Sequence, residues 1–239
     1  MDSDPQSDAA DDSYEDRDEP APALPGWTII AALVTVVATL FITQYYWYRA
    51  RHERAVADLK SLGTRIEATA GTLTSAPEVQ TVQFGPETTD SALLLLRLLS
   101  YDRRPAVLLG GSQIGDAGLE HLSVVRGIGT LDLSGTRITD AGLQYVARLD
   151  ALEKLDLSQT EITDAGLRQL VGLDQLVELN LSGTAVTDAS LDLLKQMSSL
   201  RRLRVNNTEL SAVGIERLMQ QRPALEIVAN SKSQLVAPK

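Results

Sequence analysis

Because the chain contains no cysteine, any chemistry in it has to come from histidines, carboxylates, hydroxyls or lysine amines. Thiolate nucleophiles, disulfides and cysteine-held zinc are thereby excluded. The two histidines are His52 and His121. His52 follows a long apolar run and His121 falls inside a repeated segment, and no nucleophile or ligand set accompanies either. Asp116, Asp140, Asp164 and Asp188 recur at a spacing of 24 residues. Carboxylates in one slot of a repeat suit architecture better than catalysis, and the expectation is that they cap helix starts by accepting from free N–H groups. A row of them a full repeat apart lacks the dense oxygen cage that calcium needs. No glycine-rich phosphate loop or dinucleotide fingerprint is present. The reading is of a chain that is not an enzyme, with no catalytic residue, no cofactor and no metal.

The elements that hold these residues follow from the period. Five segments read VLLGGSQIGDAGL (107–119), LDLSGTRITDAGL (131–143), LDLSQTEITDAGL (155–167), LNLSGTAVTDASL (179–191) and LRVNNTELSAVGI (203–215), each starting 24 residues after the last. A fixed period in this range marks stacked units that share one core. In the copy at 131, Leu131 and Leu133 alternate along a short strand and point inward, leaving Asp132 and Ser134 outside. Ile138 plugs the bend after the turn, Thr139 and Asp140 open a helix, and Leu143, Val146 and Leu149 form its apolar stripe. About seven apolar residues per unit at roughly 2 kcal/mol each cannot offset the ordering of the unit's backbone at roughly 1–2 kcal/mol per residue, so one unit cannot fold alone. The fold class expected is α/β, a solenoid with a parallel sheet on one face and helices on the other. Residues 82–97 look like a worn first copy, and Pro223 and LEIVA (225–229) close the other end with a last strand.

These motifs resemble the leucine-rich repeat family, particularly its LxLSGTxITDAGL subtype, which is similar to repeats of planctomycete bacterial proteins and of the ribonuclease-inhibitor-like and F-box-associated groups. The resemblance covers roughly 82–229. It implies that the slot at Ser112, Thr136, Thr160, Thr184 and Thr208 hydrogen-bonds the backbone of the adjacent unit. It also implies a protein-binding face on the inner side of the sheet. Carried over by position, that face comprises Asp132, Asp156, Asn180 and Arg204, flanked by Thr130, Lys154, Glu178 and Arg202, with Ser134, Ser158, Ser182 and Asn206 along its edge. Acidic groups lead toward basic ones along the stack. No aromatic anchor of the kind common at strong interfaces stands on it.

Charge in the rest of the chain is segregated. The formal net charge is −10, of which residues 1–26 supply −8 through nine acids and Arg17. That segment, punctuated by prolines, is expected to be an acidic disordered tail. No dense Lys/Arg cluster occurs in the repeats, so nucleic acid is not an expected partner. Residues 27–48, WTIIAALVTVVATLFITQYYWY, hold no charge. As a helix they would span about 33 Å, with aromatics at both ends, which predicts a single uncleaved transmembrane helix. Arg49, Arg51, Arg54, Lys60 and Arg65 follow it closely, so the positive-inside rule places the N-terminus outside and the repeats in the cytoplasm. Ala31, Thr35, Thr39 and Thr43 recur every fourth residue and offer a face for a second copy of the helix. Residues 49–77 are expected to form a juxtamembrane helix, with Val56, Leu59, Leu62 and Ile66 as its stripe, and then a linker. The repeat domain is placed at 78–229 and a polar C-terminal tail at 230–239.

The function expected is a membrane-anchored, non-catalytic module that binds an unidentified protein partner. The alternatives are a self-associating structural membrane protein and, following the resemblance, an F-box-like adaptor that recruits substrates.

Overall fold

The computed structural model describes residues 26–68, 79–99, 101–123, 125 and 127–230, with the side chains of 26–29, 32 and 101–103 outside that description. The acidic tail, the linker at 69–77 and nearly all of the C-terminal tail therefore lie outside the described residues. The chain divides into two compact units, Met1–Gln44 and Tyr45–Lys239.

The described part of the first unit is helical and belongs to α1 (Gly26–Ser61), which continues into the second. Its apolar side chains are exposed; Phe41 is 68% accessible and Leu40 64%. The hydroxyls of Thr35 and Thr39 donate to the carbonyls of Ala31 and Thr35 one turn back, at 2.8 and 2.9 Å. The small-residue stripe thus satisfies these two donors within its own helix. Among the described residues, no helix is long and apolar enough to cross a membrane.

In the second unit α1 ends at Ser61, earlier than the helical pattern through Ile66 predicts. Gly63 is the reason. It takes φ +76°, the Gly63 N–H donates to Lys60 O at 3.0 Å, and the Thr64 N–H donates to Leu59 O at 3.2 Å. This paired closure ends a helix at a left-handed residue, and glycine adopts that conformation without a Cβ penalty. Ile66 instead sits in β1 (Arg65–Ala68), opposite Val82 and antiparallel to β2 (Val79–Gln83). The buried stripe of α1 also differs from the expected one. His52, Ala55 and Leu59 are buried and Leu62 is 49% exposed.

From β2 onward every strand is parallel to the next: β3 (Tyr101–Leu108), β4 (Thr130–Asp132), β5 (Lys154–Asp156), β6 (Glu178–Asn180), β7 (Arg202–Arg204) and β8 (Glu226–Val228). The register is the repeat itself: Thr130 pairs with Lys154, Lys154 with Glu178, Glu178 with Arg202 and Arg202 with Glu226. The opposite face carries a 3-10 helix, Asp90–Leu98, then α2 (Asp116–Leu122), α3 (Leu143–Val146), α4 (Asp164–Gln169), α5 (Leu191–Gln196) and α6 (Ala212–Gln221). One core runs between sheet and helices, from Ala55 and Leu59 through Leu131, Leu155 and Leu179 to Leu225.

Two bonding expectations are corrected. The Thr136, Thr160 and Thr184 hydroxyls do not reach the adjacent unit. Each closes its own turn by donating to the carbonyl three residues back, Leu133, Leu157 and Leu181, at 2.6, 2.5 and 2.6 Å. The aspartate row, in contrast, binds across repeats and does not cap its own helices. Asp116 accepts from the Thr139 N–H and hydroxyl, Asp140 from those of Thr163, Asp164 from those of Thr187, and Asp188 from those of Ser211. The threonine hydroxyl then accepts from the N–H two residues on, as at Thr163 and Ala165. The physical reason is length. A short carboxylate held on one rung reaches the backbone of the next, since rungs stand only ~4.8 Å apart. Glycine follows from the same contact: a Cβ on Gly166 would collide with Asp140 Oδ1. Where Ser190 takes that slot, its hydroxyl donates to Asp164.

Candidate interaction face

The strands hold their outward residues in two rows because side chains alternate across a pleat. One row is Ala106, Thr130, Lys154, Glu178, Arg202 and Glu226; the other is Leu108, Asp132, Asp156, Asn180, Arg204 and Val228. All eight residues assigned to the face from the sequence, Thr130, Asp132, Lys154, Asp156, Glu178, Asn180, Arg202 and Arg204, line one shallow open groove of about 210 Å³. Leu108 lines it as well. Leu108 and Glu226 extend the two rows beyond the expected set. Their signal in the sequence was the 24-residue offset from Asp132 and Arg202.

The rows differ electrostatically. In the first, Lys154 Nζ lies 3.2 Å from Glu178, Arg202 lies 3.0 Å from Glu178, and Arg202 lies 3.1 Å from Glu226. Glu226 chiefly, and Glu178 with it, holds the Arg202 guanidinium above its ordinary pKa. These charges satisfy one another across rungs. Exposed pairs of this kind add little stability, but they leave no net charge for a partner.

The second row spends its polar atoms on local turns. Asp132 Oδ1 accepts from the Ser134 N–H at 2.9 Å, Asp156 Oδ1 from the Ser158 N–H at 2.8 Å, and Asn180 Oδ1 from the Ser182 N–H at 3.1 Å. Side chains that bond the backbone two residues on set the turn out of the strand. Asn180 Nδ2 also donates to Asp156 Oδ2 at 2.8 Å. The ion pairs among the described residues include neither Asp132, Asp156 nor Arg204.

The histidines stand apart from this face. His121 lies at the end of α2 beside Arg97, Glu120 and Arg148. His52 is 2% exposed, and its Nε2 has no hydrogen-bond partner. Burial is the main cause that pushes its pKa below the usual imidazole value, with Glu53 opposing. Among the described residues, no group of three or more His, Asp or Glu side chains is arranged to hold a metal ion.

A family model described as leucine rich repeat matches residues 126–186, which supports the leucine-rich repeat reading of this segment. Among solved structures, internalin C2 of Listeria monocytogenes is similar at 22% identity, over 69% of this chain and 82% of that one, with a TM-score of 0.45. A leucine-rich-repeat protein of Leptospira interrogans is similar at 22% identity, over 61% of this chain and 34% of that one, with a TM-score of 0.42. No curated protein matches the chain.

Proposed function

We propose that this chain is a membrane-anchored, non-catalytic interaction module whose concave sheet face receives a protein partner. One observation carries the reading: the eight outward residues of four successive rungs converge on a single open groove. A parallel sheet backed by a continuous apolar core is a rigid platform, and a preformed platform binds with little ordering cost. The groove displays carboxylates, an amide and guanidinium groups without a nucleophile–base pair, which suits recognition better than turnover.

Two features support the anchor. The run from Trp27 to Tyr48 holds no charge in the sequence. Along it Ile30, Val34, Val36, Leu40 and Ile42 all expose their side chains. Apolar groups on every side of a helix call for a nonpolar surround. The basic residues after Tyr48 argue for repeats in the cytoplasm and an outer N-terminus.

Proximity labelling from the repeat unit in intact cells tests both parts. The expected result is one enriched protein whose recovery falls when Thr130→Trp and Asn180→Arg fill the groove, together with retention of the chain in membranes after alkaline carbonate. Release by carbonate removes the anchor. An unchanged labelling pattern with the groove filled removes the face.

A second reading has its own observation. Among the described residues β8 ends the sheet with no strand on its outer side, and Val228 there is 38% exposed. Such an edge can pair with another copy. A concentration-dependent oligomer that is lost on Ile227→Pro would favour self-association over partner presentation.

A further inference from the structure

The two rows of the concave face offer a partner very different things. Lys154, Glu178, Arg202 and Glu226 neutralise one another in a ladder of contacts at 3.0–3.2 Å. Asp132 and Asp156, on adjacent rungs, have no cation among these pairs, and neither does Arg204 an anion. Asn180 lies between them and carries no charge. The face therefore presents a dipole along the stack, negative over the rungs of β4 and β5 and positive over the rung of β7.

We infer that the partner contributes an extended segment laid across the strands, with a basic side chain over Asp132 and Asp156 and an acidic one over Arg204; this rests on the concave-face reading above. The spacing follows from the sheet. Arg204 stands two rungs from Asp156 and three from Asp132, roughly 10 to 14 Å at ~4.8 Å per rung. An extended peptide rising ~3.4 Å per residue covers the longer distance in four residues, and because its side chains alternate, residues four apart turn toward the same face. The partner's two charges are thus opposite in sign and four positions apart. Peptides carrying the pair in either chain order fit, because the segment can run in either direction along the stack. Between the charged ends the segment crosses Asn180, whose Nδ2 is held by Asp156. The flanking ladder, being internally paired, excludes further isolated charges. Like charges meeting Asp132 and Asp156, or Arg204, are rejected, which gives the site specificity more than raw affinity.

The test uses a displayed library of short linear peptides selected on the full-length chain in nanodiscs at low salt, followed by fluorescence anisotropy of the selected peptides. The expected result is enrichment of sequences with a Lys or Arg four residues from an Asp or Glu. Asparagine already makes the same turn contact at Asn180, so Asp132→Asn with Asp156→Asn removes charge and keeps the fold. That double variant is expected to weaken the selected peptides about fivefold and Arg204→Gln about two- to threefold, as for exposed charge pairs. Added salt is expected to erase both differences. The Thr130→Trp variant separates the two levels of reading. Peptides lost with Thr130→Trp but indifferent to Asp132→Asn, Asp156→Asn and Arg204→Gln overturn the charge pattern and leave the face standing. Peptides indifferent to Thr130→Trp as well show that the face itself is not the site. A selection that enriches no opposite-charge spacing also overturns the inference.

Discussion

The interior rungs and the first rungs are built on one period, yet they treat the same slot in opposite ways. Thr136, Thr160 and Thr184 bury a hydroxyl and satisfy it on their own turn. One period earlier, Ser112 buries a hydroxyl that has no partner, and Thr88 and Thr64, which lie at the same end though not in this slot, do the same. His52 adds a buried, unpartnered Nε2 at the same end. The aspartate row weakens in the same direction. Asp140 takes both the N–H and the hydroxyl of Thr163, whereas Asp90 takes only the N–H of Gly115, since a glycine stands where a threonine would. A repeat achieves full polar satisfaction only with a like neighbour on either side. The end that meets a helix and an antiparallel hairpin strand gives up part of it.

The largest expected effects test the cross-repeat carboxylates. Asp140→Ala leaves the Thr163 N–H and hydroxyl without their acceptor and should cost about 2–3 kcal/mol in urea unfolding, while Asp90→Ala should cost about 1 kcal/mol. Equal losses would erase the contrast between interior and end. Next come the buried hydroxyls. Thr136→Val is expected to cost about 1 kcal/mol, whereas Thr88→Val should be neutral or stabilising, because removing an unsatisfied polar group relieves a desolvation cost. A destabilising Thr88→Val would mean that its hydroxyl is bonded after all.

Titration sharpens the comparison further. The His52 imidazole has a folded pKa below its unfolded value near 6.5, chiefly through burial. Its neutral form therefore favours the folded state, fully above the unfolded pKa. That contribution is lost as pH falls below about 6.5 and through the folded value. Asp164 in the interior behaves as a depressed carboxylate. Burial alone would raise its pKa, but the Ser190 and Thr187 hydroxyls, the Thr187 N–H and Arg168 bring it below the ordinary value. Its contribution is complete above the unfolded pKa of about 3.9 and is lost as pH falls through the folded one. The expected outcome is two separate pH slopes in the urea midpoint, the upper abolished by His52→Leu and the lower by Asp164→Asn. The smallest effect expected is at Gln159, which adopts φ +58° in a slot where Gly135 and Gly183 also have positive φ. Gln159→Gly should add about 0.5 kcal/mol, the left-handed strain relieved less the entropy of glycine.

Much of the solenoid could be read from the repeat. The 24-residue offset names the facing residues of each rung, and it places Asp132, Asp156, Asn180 and Arg204 in a row without any knowledge of coordinates. Leu131 and Leu133 face the core by alternation alone. Periodicity alone does not place Ile66, because a helical stripe and an alternating strand both tolerate one more apolar residue after Leu62. Gly63 is the signal that separates them, because in the fold it stops the helix. The partner of each aspartate is illegible for a related reason: a Thr-Asp pair before an apolar run has the composition of a helix start whichever residue does the capping.

What the amino acids dictate unaided is local and periodic: strand, turn, short helix and the direction each side chain takes. Partnership between rungs belongs to the folded stack. Asp116 bonding Thr139, a carboxylate closing on Gly166, Lys154 and Arg202 sharing Glu178, and the burial of His52 on α1 all depend on separations of a few ångströms between segments far apart along the chain. No single unit contains such a distance, because it comes into being only when apolar faces that cannot be buried alone are stacked.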